Sequence, residues 1–281
     1  MSGFLDRHLE ASLQERSRAW SWTMPSRRAG ARAPKARRRG SARRDASRRP
    51  ATPRIGTSRV VAPRVSIESQ PWARLVPHLE PLGIDVERTI GQIKRYASAV
   101  LEWNRGVSNL ISRNDESRLV DRHLVESVQP ATWLKSSGAM RWLDFGSGAG
   151  LPAIPLRLAG VGEEWTLVES RRNKTLFIRK LLLDNKIDRV SVVCQRLEML
   201  VGDPLMASGF DGFTARATLP LAETLDLARH FVRQGGFAFL WKGSGLDQEM
   251  RSSTGWRDHW EESGRIEVGS GPISVIRYIR K

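Results

Sequence analysis

The segment Asp144-Phe145-Gly146-Ser147-Gly148-Ala149-Gly150 sets three glycines at alternate positions behind an acid, and Glu169 closes the next apolar run. Alternating glycines let a backbone approach a ligand closely and turn sharply into a helix. A carboxylate one strand further on can accept two hydrogen bonds from ribose hydroxyls. The two features together suit a nucleoside whose far end lies against the glycine turn. A dinucleotide fingerprint, Gly-x-Gly-x-x-Gly, would need glycine at 151, where the chain has Leu151. A phosphate-cradling loop would need Gly-Lys-Ser/Thr, which does not follow. Asp144 directly before the glycines favours a ligand with a cationic end over one with a pyrophosphate, and S-adenosylmethionine has that character. The plainer reading is a tight turn and a solvent-facing carboxylate. It fits each feature alone and the conjunction poorly.

Further polar residues close later apolar runs, in Arg196-Leu197-Glu198 and Thr214-Ala215-Arg216-Ala217. Open α/β sheets bind ligands at the carboxyl edge of their strands, where all of these would lie. For Arg216 an ordinary surface charge is the alternative. Rival methyl-transfer chemistries lack their residues. Attack on a pyrimidine carbon uses a cysteine after the fourth or a later strand, whereas Cys194, the only cysteine, follows the third. Methylation of exocyclic amines uses Asp/Asn-Pro-Pro-aromatic after the fourth strand, and that region reads Thr214-Ala215-Arg216-Ala217. One cysteine makes neither an intrachain disulfide nor a cysteine zinc site, and His8, His78, His123, His230 and His259 are not at ligand spacing. No metal is expected.

The elements that must position these residues show as apolar patterns. Asp85 is placed to cap a helix whose Val86, Ile90, Ile93, Ala97, Val100 and Leu101 follow a 3.6-residue period. A second helix is expected after Asn114-Asp115, with Leu119, Val120 and Leu124 on one face. From Met140 the pattern alternates. Strands are expected at Arg141–Asp144, Trp165–Glu169, Val190–Cys194, Phe210–Ala215, Phe237–Trp241, Arg265–Val268 and Ile273–Ile279. Helical stretches between the first five imply parallel pairing with right-handed crossovers. Gly269-Ser270-Gly271-Pro272 implies an antiparallel hairpin between the last two. Pro152 and Pro155 suit the first turn of the helix after the glycines. The expected class is α/β: a Rossmann-like seven-strand methyltransferase sheet, mostly parallel with a C-terminal antiparallel hairpin, behind a helical N-terminal preface.

The formal net charge of +16 is unevenly placed. Residues 1–64 carry 17 basic and 4 acidic side chains, while the rest carries 29 and 26. From Ser26 to Arg64 the composition is Arg, Ala, Ser and Pro, with little to bury. The expected organisation is a disordered Arg-rich leader over 1–64 and one domain over 65–281. That domain divides into a helical preface over 65–139 and a Rossmann-like core over 140–281. The leader has three readings: an RNA-binding basic arm, an artefact of an upstream start codon or an inert tail, and an organelle transit peptide. Asp6, Glu10 and Glu15 oppose the last. No uncharged apolar run reaches the roughly 18 residues of a membrane span. The expectation is a soluble, cytoplasmic protein in a reducing compartment, acting as a monomer.

Taken in order, several segments resemble the bacterial 16S ribosomal RNA guanine-N7 methyltransferases, also called the glucose-inhibited division protein B family. They are Trp103-Asn104 with Asn109-Leu110, Arg122-His123-Leu124-Val125-Glu126-Ser127, Asp144 to Pro152, and Glu169-Ser170 with Lys174 and Phe177. Arg196-Leu197-Glu198, Phe210-Asp211-Gly212, Arg216-Ala217 and Trp241-Lys242-Gly243 complete the set. The resemblance runs from near Leu82 to Lys281 and leaves out the leader. It implies S-adenosylmethionine as cosubstrate, 16S ribosomal RNA or the small ribosomal subunit as partner, and cofactor contacts at Gly146, Leu151, Leu197, Glu198 and Arg216. The full expected cofactor set is therefore Asp144, Gly146, Gly148, Leu151, Glu169, Leu197, Glu198 and Arg216. Departures exist: Glu126 and Glu169 stand where the family usually has Asp, Asn173 where Lys is frequent, and the Trp103–Asn109 segment is one residue longer.

Guanine N7 has an in-plane lone pair and no proton, so transfer to it needs orientation and exclusion of water rather than a general base. No residue is therefore assigned as catalytic. His123 is expected to be structural rather than a base. Lys242 and Arg122 are candidates for RNA phosphates, against the alternative of solvated surface positions. Two other functions stay open at this point: a small-molecule methyltransferase, and a non-catalytic RNA-binding protein that uses the basic arm.

Overall fold

The apolar runs after Met140 pair into one seven-stranded sheet in the computed structural model, which describes residues 65–281. Its strands are β1 (Arg141–Phe145), β2 (Glu164–Val168), β3 (Val190–Val193), β4 (Phe210–Arg216), β5 (Val232–Lys242), β6 (Trp260–Val268) and β7 (Ile273–Arg280). They lie in the order β3-β2-β1-β4-β5-β7-β6. The first five are parallel to one another, and β7 runs antiparallel to both β5 and β6. The order reverses between β1 and β4, which places a ligand crevice outside their carboxyl ends.

Helices α5 (Ala153–Leu158), α6 (Arg172–Asp184), α7 (Leu221–Ala228) and α8 (Leu246–Ser252) pack around the sheet. Three expectations change. β2 stops at Val168, so Glu169 is the first residue beyond the strand. β5 and β6 begin at Val232 and Trp260, ahead of the expected Phe237 and Arg265, because their ladders run through polar stretches that no apolar alternation marks. Between β3 and β4 there is a single 3-10 turn, Leu197–Leu200, in place of a helix. Gly202, at φ 84, and Pro204 leave no run long enough for one.

In the preface, short turns over 72–82 include α1 (Val76–Leu79) and lead to α2 (Val86–Gly106). Asp85 caps α2 as expected, accepting from the Arg88 amide at 3.0 Å. The second expected helix is broken into pieces: a 3-10 stretch Arg113–Arg118, a π-helical turn Leu119–Leu124, then α3 (Val125–Val128) and α4 (Ala131–Lys135). Leu119, Val120 and Leu124 are buried all the same. Single π turns recur at functional sites, and this one faces the end of β4.

The preface shares its core with one face of the sheet, where Ile93, Val100, Trp142, Trp165 and Ile178 meet. The opposite face packs Leu143, Phe213, Leu225, Ile276 and Tyr278. Trp142 and Trp165 stack with centroids 5.2 Å apart. The Trp142 indole lies so close to Gly162 and Gly212 that a β-carbon at either position would collide with it. None of the described helices is long and apolar enough to cross a membrane.

Candidate active site

The glycine turn follows β1 directly. The Gly146 and Ser147 amides both donate to the Val168 carbonyl, at 2.9 and 3.2 Å, which ties the turn to the end of β2. Gly146, Gly148 and Gly150 take φ values of 69°, 57° and 89°, a region that costs other residues about 1–2 kcal/mol. A β-carbon on Gly146 would stand 2.6 Å from Thr218 Cγ2. This glycine therefore admits the loop after β4, and not only a ligand. Gly148 is different: a β-carbon there would meet only the Gly146 carbonyl and Lys174 Nζ, both at 3.7 Å.

Glu169 is buried and aimed back at the turn. Its Oε2 accepts from the Gly148 amide at 2.9 Å and its Oε1 from the Arg171 amide at 2.7 Å. The chain's own backbone thus orients the carboxylate, and each oxygen keeps a second lone pair for a hydroxyl. Asp144 lies beneath the turn and is fully buried. Its Oδ1 accepts from Thr214 Oγ1 at 2.6 Å, and Oδ2 has no partner. Burial pushes its pKa up to about 7, against the pull of Ser147 and Thr214. At the end of β3, Leu197 is buried and Glu198 exposed, in the first residues of the 3-10 turn.

Arg216 is not a surface charge. Its guanidinium turns into the preface, donating to the Arg122 carbonyl at 3.0 Å, the His123 carbonyl at 3.3 Å and Glu126 Oε2 at 2.5 Å. Its Nη2 also lies 3.2 Å from His123 Nδ1. A guanidinium only donates, so Nδ1 is the acceptor and the neutral ring carries its proton on Nε2. Burial, aided by Arg216, lowers the His123 pKa to about 4. The structural reading of His123 holds. Burial raises the Glu126 pKa while Arg216 opposes it.

Lys242 is a correction. Rather than facing an RNA phosphate, its Nζ donates to the Leu219 carbonyl and to Glu249 Oε2, both at 2.8 Å, and so fixes the loop between β4 and α7. Arg122 is half-buried and has an unpartnered Nε. Two contacts escaped sequence reasoning. The Tyr96 hydroxyl donates to the Ala149 carbonyl at 3.1 Å, which joins α2 to the glycine turn. Thr218 covers Gly146. Tyr96 follows the buried helical face one turn from Ile93 and Val100, so its burial was readable although its partner was not.

A glycine turn after β1, an acid after β2, and the strand order of this sheet together define a Rossmann-like methyltransferase. Residues 89–257 match the GidB family model, described as rRNA small subunit methyltransferase G, and the chain belongs to that family. A ribosomal RNA small subunit methyltransferase G from Roseiflexus castenholzii is 35% identical over 165 residues, covering 58% of this chain and 69% of that one. The Coxiella burnetii protein of the same name is 30% identical over 181 residues, covering 64% and 85%. The one from Rhizorhabdus wittichii is 37% identical over 151 residues, covering 53% and 67%. The chain is accordingly an S-adenosylmethionine-dependent rRNA methyltransferase.

Proposed function

We propose that the chain transfers a methyl group to N7 of a guanine in 16S ribosomal RNA. The observation that carries this reading is the state of His123, the imidazole beside the end of β4. Burial keeps it neutral and its acceptor nitrogen is engaged by Arg216. It is not free to remove a proton, and N7 has none to lose.

When bound, S-adenosylmethionine supplies an electrophilic methyl on a sulfonium. Glu169, already oriented by the Gly148 and Arg171 amides, holds the ribose. Gly146, Gly148 and Leu151 let the backbone approach the methionine end, with the Asp144 carboxyl beneath it. Leu197 and Glu198 form the side of the crevice at the end of β3. Arg216 acts as a positioning residue that fixes the preface against β4. Charge moves from sulfur to the purine during transfer, so preorganised carbonyl and carboxylate oxygens near the acceptor lower the barrier.

The test uses the purified full chain, methyl-labelled S-adenosylmethionine and small ribosomal subunits from a strain lacking the enzyme, followed by nucleoside analysis of the 16S rRNA. 7-Methylguanosine at one position is expected. Label on another atom, or in no RNA, overturns the reading.

A further inference from the structure

A cleft of about 330 Å³ opens beside the glycine turn, between Ser108 and Asn109 on one wall and Arg171, Arg172, Asn173 and Lys174 on the other. Both walls are built, not incidental. Asn104 fixes the first: its Oδ1 accepts from the Leu110 and Ile111 amides at 2.6 and 3.2 Å, and its Nδ2 donates to the Ile111 carbonyl at 3.1 Å. The second wall begins α6, and Trp103 clasps it to α2 by packing on Phe177 with centroids 5.5 Å apart. Trp103 Nε1 also donates to Ser108 Oγ at 3.3 Å. The Trp103-Asn104, Asn109-Leu110, Lys174 and Phe177 motifs, which the cofactor crevice does not account for, therefore meet at one place.

The charge of the cleft is one-sided. Among the described residues, Arg171, Arg172 and Lys174 have no carboxylate within ion-pair distance, and no acid lines the cleft. Other basic residues of the same region are paired, as in Arg157 with Asp188, Lys180 with Asp184 and Arg189 with Glu163. Three unpaired cations in four residues repel one another unless an anion lies among them. S-Adenosylmethionine is a poor match, since its sulfonium and ammonium leave it net positive at neutral pH. Sheet order sets the end of β3, with exposed Arg196 and Glu198, beside the end of β2, so the one-sided charge is confined to the cleft itself. A cluster of unpaired cations suits an anionic group such as a phosphate.

We propose that this cleft seats a backbone phosphate of the substrate RNA, flanking the methylated base. The proposal rests on the reading that RNA is the methyl acceptor. Lys174, with Nζ 3.7 Å from where a Gly148 β-carbon would stand, links the seated phosphate to the cofactor turn. The phosphate would thereby register the strand against the methyl donor, a positioning role that phosphate contacts commonly have.

The test compares the full chain with Arg171→Ala/Arg172→Ala, with Asn109→Asp on the opposite wall, and with Lys180→Ala as a paired-cation control. Affinity for transcribed 16S rRNA is measured by filter retention across a salt series, and S-adenosylmethionine affinity by calorimetry. The double variant should bind RNA roughly tenfold more weakly, and its slope of log affinity against log salt should fall by about 0.7, the increment for one lost single-strand phosphate contact. Asn109→Asp should also weaken RNA binding, and Lys180→Ala should match wild type. Cofactor affinity and melting temperature should stay the same in all. An unchanged RNA affinity and slope in the double variant overturns the proposal, as does a loss confined to cofactor affinity. Because binding is read without methyl transfer, a wild-type enzyme that methylates another atom would defeat the N7 reading and leave this result interpretable.

Discussion

The Arg216 guanidinium and the Glu126 carboxylate meet at 2.5 Å, with the acid 2% and the arginine 13% exposed. One closes β4 and the other belongs to α3, so this ion pair joins the sheet to the preface. Removing one partner of a buried pair strands the other charge and costs about 3–5 kcal/mol. Arg216→Ala should therefore lose stability of that order in urea denaturation and should lose most methyl transfer even at saturating cofactor. The apolar pair Glu126→Leu/Arg216→Met should recover most of the stability but not the activity. Activity that returns with the stability would show that the pair has no positioning role.

A second expectation concerns pH. His123 titrates near 4 in the fold and near 6.5 in the unfolded chain. Between those values the unfolded state binds more protons, so stability falls as pH drops through the window, by up to about 3 kcal/mol. Asp144 has the opposite sign. Its pKa is raised from 3.8 to about 7. The folded form keeps a proton the unfolded form has shed, and stability falls as pH rises through that window, by up to about 4 kcal/mol. The two slopes oppose one another in wild type. Asp144→Asn should unmask the acid-side loss due to His123, and His123→Asn the alkaline-side loss due to Asp144. Parallel stability curves for wild type and both variants between pH 4 and 7 would contradict this assignment.

Gly146→Val should abolish S-adenosylmethionine binding in calorimetry. The structure alters the reason, because the new side chain would strike Thr218 and displace the loop after β4 rather than simply fill ligand space. Thr218→Gly in the same chain should relieve the collision but not the left-handed backbone, so recovery should be partial. Full wild-type affinity in Gly146→Val would remove the glycine turn from the cofactor site.

Residues 1–64 lie outside the described residues, and the expectation for them rests on composition. Deleting them should leave the melting temperature and cofactor affinity unchanged, while nonspecific RNA binding weakens with the loss of 17 cationic side chains. Methylation of authentic small subunits at physiological salt should match the full chain. A large loss there, with cofactor binding intact, would assign RNA delivery to the leader.

Much of the fold was legible because its signals are local: the Asp85 cap, the period of α2, the strand-glycine-helix succession and the Glu169 position. What was not legible depends on contacts distant in sequence. Nothing near Lys242 announces that Glu249 and the Leu219 carbonyl occupy its ammonium, so it stood as a candidate for an RNA phosphate or a solvated surface position. Arg216 likewise gave no sign of turning toward residues some ninety positions earlier. In the broken second preface helix the carbonyls of Arg122 and His123, within the π turn, also accept from Arg216, whereas the break before α4 falls at Pro130. The polar beginnings of β5 and β6 were missed because ladder hydrogen bonds, unlike burial, leave no periodic mark.

The collision of Trp142 with any side chain at positions 162 and 212 reaches beyond this one molecule. A lineage that keeps the indole must keep both glycines, and one that trims it leaves a void that side chains at either position can refill. Across related enzymes these three alignment columns should therefore change together, although 162 and 212 lie fifty residues apart and on different elements. The Phe210-Asp211-Gly212 signature is then partly a record of which aromatic a neighbouring strand carries, and its glycine says nothing about catalysis.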